Sequence, residues 1–348
     1  MDNPKRRSDA TTSSNPAPRR ERLRFAAPKI VPKGLWRRVP PAIFPPILGL
    51  LGLALAWRAG IAHFGLPGGL SGLLDGVAAA LAGFALLAYG GKLARRPSVL
   101  FDDLKLLPGR AGLGAGVVSI YMLAAVISAY APGLARLLLV AGLAVHIAVL
   151  ATLLAVFRAG PPEIRTITPA WHLNWVGFIV AARAAPLMGW TGLAEFLLFP
   201  CIAMASFIWL ASARQLIAKR PPAPLRPMLA IHLAPLALSS TVAALTGYHT
   251  LAIIGGVASA ALLGVLILSI RWITEAGFSP LWGAFTFPLA ATTGLFWTLY
   301  ALFGGEGLRL LASVLLIAAT LIIPPIVFLI MREWASGRLP AKVNAAIA

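Results

Sequence analysis

Residues 279–303 read SPLWGAFTFPLAATTGLFWTLYALF and residues 308–331 read LRLLASVLLIAATLIIPPIVFLIM, with only GGEG between them. Each run is long enough to cross about 30 Å of hydrocarbon as an α-helix. Because lipid offers no water, the backbone groups of such a run must bond to one another, and a helix satisfies them. The stretch therefore predicts two membrane-spanning helices that form a hairpin.

The whole chain has the composition of a membrane protein. Of its 348 residues, 59% are apolar and 12% are charged, whereas a soluble domain carries roughly 25% charged residues. The ten predicted spans lie near 42–64, 70–93, 111–130, 134–157, 170–188, 190–212, 228–246, 250–270, 279–303 and 308–331. Short turns follow the odd-numbered spans and longer basic connections follow the even-numbered ones. This pattern predicts an all-α polytopic membrane protein of ten transmembrane helices in five hairpins.

The positive charges lie on one side of this arrangement. The formal net charge is +19, and 26 of the 30 Lys and Arg residues lie in the N-terminal tail, at the connections after even-numbered spans or at the C-terminal end. Such a bias marks the cytoplasmic side, so we expect an inner (plasma) membrane protein with both termini in the cytoplasm. The predicted organisation is a disordered basic tail over 1–38, a transmembrane domain over 39–335 and a short cytoplasmic tail over 336–348. We interpret the positive charge as setting the orientation in the membrane and as attracting anionic lipid headgroups. No nucleic-acid partner is expected.

Prolines recur inside the odd-numbered spans, at Pro45, Pro46, Pro186, Pro235 and Pro288. Proline removes a backbone donor and kinks a helix. In lipid the freed carbonyl needs a partner, so a kinked helix favours contact with protein or a water-filled lumen. We therefore expect the odd-numbered helices to surround a central pore and the even-numbered helices to lie outside them.

Two charges fall within neighbouring predicted spans. Arg183 and Glu195 are each six residues from Gly189, so they lie at similar depth on antiparallel helices. One interpretation is a buried ion pair that joins the two helices. The other is that Arg183 faces the pore and attracts anions. The odd-numbered spans contain no Asp or Glu, and because cation channels use acidic rings, their composition favours anions.

The histidines give an alternative function. His146, His172 and His232 lie in or beside predicted spans, and two histidines on facing helices could hold a haem. No HExxH-type motif, paired carboxylates or Ser-His-Asp arrangement is visible, so no metal site, cofactor or enzymatic activity is predicted. Helix packing is the simpler interpretation of these histidines. A membrane haem or redox protein, or another His-dependent membrane protein, stays the alternative, with a membrane-embedded enzyme as a third class.

The quoted hairpin also carries a family motif. Residues 281–290, LWGAFTFPLA, resemble the ninth helix of the tellurite-resistance/C4-dicarboxylate transporter family, which includes bacterial TehA and the plant slow anion channels. Three further stretches are similar to that family: Phe44 to Trp57 with Gly49-Leu50 between them, TPAW at 168–171 followed by Val176-Gly177, and Leu233-Ala234-Pro235. The resemblance covers about residues 40–335.

The resemblance implies an anion channel or transporter that assembles as a homotrimer in the lipid bilayer. It implies that a phenylalanine, Phe287 by motif position, gates the pore, while a packed core aromatic is the alternative reading of that residue. Small inorganic or carboxylate anions are the implied substrates, with tellurite resistance or dicarboxylate export as expected roles. The residues expected to line the pore or kink its helices are Phe44, Pro46, Gly49, Arg183, Pro235, Phe285 and Pro288. Asn174, Phe178 and Arg183 depart from the family pattern.

Overall fold

The structure, a computed structural model, describes residues 34–348. Most of the predicted N-terminal tail, residues 1–33, therefore lies outside the described part of the chain. All the secondary structure that is described is helical. Nine helices are long and apolar enough to cross a membrane: Pro41–Phe64, Gly68–Arg95, Leu107–Ile127, Pro132–Ala159, Thr191–Ala218, Ala223–Leu245, His249–Leu268, Pro280–Phe303 and Glu306–Ala335. The prediction of an all-α polytopic membrane protein is confirmed.

Thirteen α-helices occur within the described residues. They are α1 (Phe44–Phe64), α2 (Gly68–Arg95), α3 (Val99–Lys105), α4 (Leu107–Ile127), α5 (Pro132–Ala159), α6 (Phe178–Ala184), α7 (Thr191–Ala218), α8 (Leu233–Leu245), α9 (His249–Leu268), α10 (Ile270–Ile273), α11 (Gly283–Phe303), α12 (Glu306–Ala335) and α13 (Leu339–Lys342). The helices α1, α8 and α11 each continue from a 3-10 stretch that has proline in its first turn. Proline suits that place because the first N–H groups of a helix have no internal acceptor.

The long helices fall into two groups by burial. The apolar windows of the spans that contain α1, α4, α8 and α11 are 61–89% buried, whereas those of α2, α5, α7, α9 and α12 are only 17–39% buried. An exposed apolar face is stable against lipid, because lipid tails are as apolar as the side chains themselves. The odd-numbered predicted spans therefore lie inside and the even-numbered ones outside.

The fifth predicted span, 170–188, differs from the other nine. It consists of a π-helical turn over His172–Val176, then α6, then a 3-10 turn over Ala185–Met188. No single piece reaches the length of a membrane span, so the ten-helix hairpin arrangement stays a prediction. Most residues of α6 are buried, which places this segment with the inner helices.

The π turn is stabilised by a neighbouring helix. His146 of α5 donates from Nε2 to the carbonyl oxygen of Asn174 at 2.8 Å, and a carbonyl displaced from the regular ladder needs such a partner. The His146 ring stacks on Phe178 with centroids 3.9 Å apart. Gly177 allows this packing, because a Cβ there would lie 2.8 Å from His146 Cε1. Asn174 and Phe178, two departures from the family pattern, thus pack against one histidine.

Glycines set the spacing between the inner helices. A Cβ on Gly49 of α1 would lie 2.3 Å from Cβ of Thr286 on α11, and one on Gly116 of α4 would lie 2.9 Å from the Phe44 ring. The Thr286 hydroxyl donates to the carbonyl of Pro45 at 3.1 Å. Small residues let helix backbones approach closely in lipid, so α11 is held against α1 at the level of Thr286.

A buried ion pair joins several elements near the two ends of the described chain, residues 34–348. Lys92 Nζ lies 2.9 Å from Asp103 Oδ2, and both side chains are fully buried. Lys92 also donates to the carbonyl of Val39, and the backbone N–H of Ala346 donates to the other oxygen of Asp103 at 2.9 Å. We call this group the Asp103 network. The predicted C-terminal tail, 336–348, is thereby packed onto the ends of α2 and α3.

Candidate conduction pathway

Two cavities lie between the inner segments. The first, which we call the tail-side cavity, has a volume of about 260 Å³ and is bordered in part by Lys342 and Val343, near the C-terminal end. The second, the turn-side cavity, has a volume of about 250 Å³ and lies toward the short turns. Both are lined by residues of α1, α4, the fifth segment, α8 and α11. A molecule between these segments meets all five of them, as the predicted pore requires.

Among the described residues, Phe287 and Leu238 are the two that line both cavities. Their side chains are 5% and 4% exposed, so they fill the space between the two volumes. Gly52 of α1 faces the Phe287 ring, and a Cβ there would lie 3.3 Å from Phe287 Cδ2. The next residue, Pro288, provides no N–H for the carbonyl of Ala284, which weakens the helix ladder beside the ring.

Arg183 lines the turn-side cavity and is the one charged residue among the described residues that do so. Within 34–348 its side chain makes no hydrogen bond or ion pair. The structure does not bring it to Glu195, which instead accepts a hydrogen bond from the Tyr248 hydroxyl at 2.5 Å. That hydrogen bond raises the pKa of the Tyr248 phenol above its usual value. Arg183 therefore borders a cavity between the inner segments, and its role toward anions stays a prediction.

The other residues expected at the pore divide into two sets. Pro235 and Pro288 line the tail-side cavity. Four others line neither cavity and pack between helices: Phe44, Pro46, Gly49 and Phe285. Successive residues on a helix rotate by about 100°, so closeness in sequence to a pore residue does not place a side chain in the pore.

Specific contacts account for two of these aromatic residues. The Phe44 ring meets Tyr89 of α2 edge to face, with centroids 5.8 Å apart. The Phe285 ring meets Trp282 in the same way at 5.7 Å. An edge-to-face pair is a favoured aromatic geometry, and it holds both rings away from the cavities.

Within the described residues, neither cavity lining contains an Asp or a Glu. Lys342 of α13 lines the tail-side cavity, but its ammonium forms an ion pair with Glu333 of α12. The nearest acidic side chain of the first hairpin, Asp75, is neutralised by Arg58 at 2.7 Å and lines neither cavity. An anion on this pathway therefore meets one cation without an acidic partner, Arg183, and mostly apolar walls.

The histidines are engaged with one another and with the backbone. His172 Nε2 lies 2.9 Å from His232 Nδ1, and His172 lines the tail-side cavity. Metal–nitrogen bonds are about 2.0–2.1 Å long, so axial ligands on opposite sides of an iron lie roughly 4 Å apart. The closer contact is that of a hydrogen-bonded pair. In the described chain no group of three potential metal ligands occurs.

Three residues of the pathway carry no signal in the sequence. Leu238 is one leucine among many, and Trp297 of α11 sits in an ordinary apolar run, yet both border the turn-side cavity. Lys342 follows the last predicted span and reaches the tail-side cavity because α13 packs back on the helix ends. Which face of a helix is turned inward depends on packing, which hydropathy does not report.

Comparison with known proteins identifies the family to which this chain belongs. A search of curated proteins found no significant match. The family model described as SLAC1, voltage-dependent anion channel, matches residues 38–330. That range contains every inner segment and both shared residues of the two cavities. The chain therefore belongs to the SLAC1 family of voltage-dependent anion channels, which are membrane channels and not enzymes.

Proposed function

We propose that this SLAC1-family protein conducts small anions passively through the two cavities, and that Phe287 is its gate. One observation carries the proposal: both cavities are lined by all five inner segments, and they meet only at Phe287 and Leu238 among the described residues. A solute that crosses between the inner helices has to pass these two side chains. Phe287 and Leu238, which are 5% and 4% exposed, lie between the two cavities.

The chemistry of phenylalanine suits a gate. Its ring fills a large cross-section and has few rotamers, so it seals a narrow apolar passage against hydrated ions. Gly52 leaves room beside the ring, and the Pro288 kink removes a hydrogen bond from the adjacent backbone. Rotation of the ring toward either cavity opens the passage without breaking a polar contact.

The charges support passive movement of anions. The lining has no carboxylate within the described chain. Arg183 is its cation without an acidic partner, and Lys342 is paired with Glu333. Proton-coupled transport usually relies on ionisable groups in the membrane. Glu195 lies outside both cavities, is exposed and accepts a hydrogen bond from Tyr248.

We also propose the placement of the molecule. The bias of Lys and Arg to one face supports an inner-membrane protein with both termini in the cytoplasm. The family resemblance supports a homotrimer, in which each chain carries its own pathway. The same family resemblance makes tellurite and dicarboxylates candidate substrates.

Flux into liposomes tests the proposal. We expect Phe287→Ala to raise chloride and nitrate flux well above the wild-type level, since the ring no longer fills the passage. Phe285→Ala is the matched control: it removes the same ring two residues earlier, at a position that lines neither cavity. Tellurite and malate in the same assay rank the substrates.

A packed core residue gives the opposite result. Removing a core phenylalanine costs about 3–5 kcal/mol and opens no path. Flux of folded Phe287→Ala protein at or below the wild-type level would reject the gate. Equal increases for Phe285→Ala and Phe287→Ala would show that the effect arises from general loosening of α11.

A further inference from the structure

We infer that a groove at the end of α7 is a binding site for the headgroup of an anionic membrane phospholipid, held by Lys219 and Arg220. We call it the α7 groove. It has a volume of about 430 Å³, and no Asp or Glu lines it among the described residues. The inference does not depend on the proposed gate, because neither Phe287 nor Leu238 lines this groove.

The groove forms where the chain leaves α7. Lys219, the residue after the helix, has an extended backbone. Pro221 and Pro222 follow Arg220, and a proline disfavours helical backbone in the residue before it. The helix therefore stops at this point, and residues of the 3-10 stretch Ala223–His232 line the groove together with the last turn of α7.

Two cations without acidic partners line the groove. Lys219 and Arg220 are both exposed, and neither forms an ion pair within the described residues. Because both are exposed, a headgroup can reach them from outside. A phosphodiester carries one negative charge and accepts hydrogen bonds, so it suits an ammonium and a guanidinium together.

Most of the other lining residues are apolar. They include Leu107 of α4, Ile167 of the connection that precedes the fifth segment, and Leu225 and Leu229 of the 3-10 stretch. A soluble anion has no apolar surface to place against such walls, whereas a lipid has its glycerol esters and first acyl carbons. Cations and apolar walls in one groove therefore match an amphipathic ligand.

The groove lies where hydrocarbon gives way to headgroups. The apolar window of α7 is only 22% buried, and Ile217 in its last turn is 88% exposed, two residues before Lys219. Tryptophan is enriched at this boundary. Trp272 is joined to the groove through Arg226, which donates to the carbonyls of Trp272 at 3.2 Å and of Pro221 at 3.1 Å.

The size and charge of the groove select the headgroup. A water molecule takes about 30 Å³ of liquid, so the groove has room for a phosphodiester with its glycerol. Basic pockets beside transmembrane helices bind anionic lipids in this way. Phosphatidylcholine carries the same phosphodiester with an attached cation, which Lys219 and Arg220 repel. We therefore expect phosphatidylglycerol to bind more tightly than phosphatidylcholine.

Lipid-dependent stability of the full chain in neutral detergent tests the site. A ligand that binds only the folded state raises its stability with concentration. At constant ionic strength, phosphatidylglycerol should raise the unfolding temperature of the wild type, and phosphatidylcholine at equal mole fraction should raise it less. Lys219→Gln combined with Arg220→Gln should raise the phosphatidylglycerol mole fraction that gives half the shift by about tenfold.

Arg214→Gln combined with Arg271→Gln is the matched control. It removes the same number of positive charges, from exposed residues of α7 and α10 that do not line the groove. We expect this variant to keep the wild-type response to phosphatidylglycerol. An equal loss of response in both double variants would show that the lipid senses only the overall surface charge, and would overturn the site.

Gln215→Glu tests the site without removing a cation. Gln215 is exposed and lines the groove, and glutamate has nearly the same size. A carboxylate there repels a phosphodiester and offers Lys219 an acidic partner. We expect a weaker response to phosphatidylglycerol, with an unfolding temperature in neutral detergent close to that of the wild type. An unchanged lipid response would contradict the assignment.

The deacylated headgroup, glycerophosphoglycerol, separates a lipid from a soluble phosphodiester. It lacks the acyl chains, so we expect no stabilisation at concentrations at which phosphatidylglycerol acts. Equal stabilisation by the two compounds would overturn the lipid as ligand. Phosphatidylcholine stabilisation equal to that by phosphatidylglycerol would overturn the preference for an anionic headgroup.

Discussion

Leu238 shares with Phe287 the position between the two cavities, and it has less bulk. We expect Leu238→Ala to raise chloride flux into liposomes, but by less than Phe287→Ala does. Leu238→Phe combined with Phe287→Ala should return the flux toward the wild-type level, because a ring is restored to the passage from the neighbouring helix, α8.

Leu236→Ala is the control for that experiment. It removes the same side chain from α8 at a position that lines neither cavity. A folded Leu238→Ala protein with wild-type flux would mean that the passage is closed by Phe287 alone. Thermal unfolding of each variant should accompany the flux, since a buried Leu→Ala change costs about 2–5 kcal/mol.

Gly49 gives a prediction about stability. A Cβ at this position would lie 2.3 Å from Cβ of Thr286 and 2.9 Å from its backbone carbonyl carbon. Since the obstacle includes backbone, α1 and α11 must move apart, and we expect Gly49→Ala to cost about 1–3 kcal/mol of unfolding free energy. Gly83→Ala on α2, which meets nothing within 4 Å, should be neutral or stabilising. Equal unfolding temperatures for both variants would contradict the close packing of α1 on α11.

At the scale of elements, the Asp103 network ties α2 and α3 to the two ends of the described chain. Asp103→Asn leaves Lys92 buried without a counter-charge, and we expect a loss of about 3–5 kcal/mol. The neighbouring Asp102→Asn should cost far less, because Asp102 is partly exposed and its pairs with Arg96 and Lys105 lie at the surface. Chemical denaturation in detergent measures both changes. A smaller loss for Asp103→Asn than for Asp102→Asn would show that the buried pair adds nothing.

Element by element, hydropathy predicts most of this fold. Nine spans follow from long apolar runs, because a helix of about 20 apolar residues is what lipid demands. Proline alone does not predict which spans lie inside, because the outer helices α7 and α12 also contain internal prolines, Pro200 and the pair Pro324-Pro325. The broken fifth segment does not follow from hydropathy. Its π turn depends on a side chain, His146, that lies on another helix and is distant in sequence.

The candidate site was predictable only in part for a related reason. Phe287 is indicated by its motif, but Phe44 and Phe285 turn away from the cavities toward other aromatic rings. Counting residues from Gly189 gives Arg183 and Glu195 the same depth, yet depth leaves open the direction in which each side chain points. The rotation of a helix about its own axis comes from packing, and single-sequence patterns leave it open.

For the whole molecule, the placement of Lys and Arg predicts which face meets the cytoplasm. Ser98 is exposed in the connection after α2, and Thr191 is exposed at the start of α7 beside a short turn. In a Cys201→Ser background, we expect a membrane-impermeant thiol reagent added to intact cells to label Thr191→Cys and to spare Ser98→Cys. The reverse labelling pattern would show that the molecule has the opposite orientation in the membrane. In permeabilised cells the reagent should label both cysteine variants.

The two cavities also decide where an electric field acts. When water fills them, each takes the potential of the solution that it faces, and the transmembrane voltage falls across the short distance occupied by Phe287 and Leu238. Moving one elementary charge across 100 mV changes its electrical free energy by about 2.3 kcal/mol. For an anion on this pathway, almost all of that change occurs as it passes the Phe287 ring. An anion in the turn-side cavity, beside Arg183, is already on the turn side of that drop. Its occupancy should therefore respond weakly to voltage, whereas its passage should respond steeply.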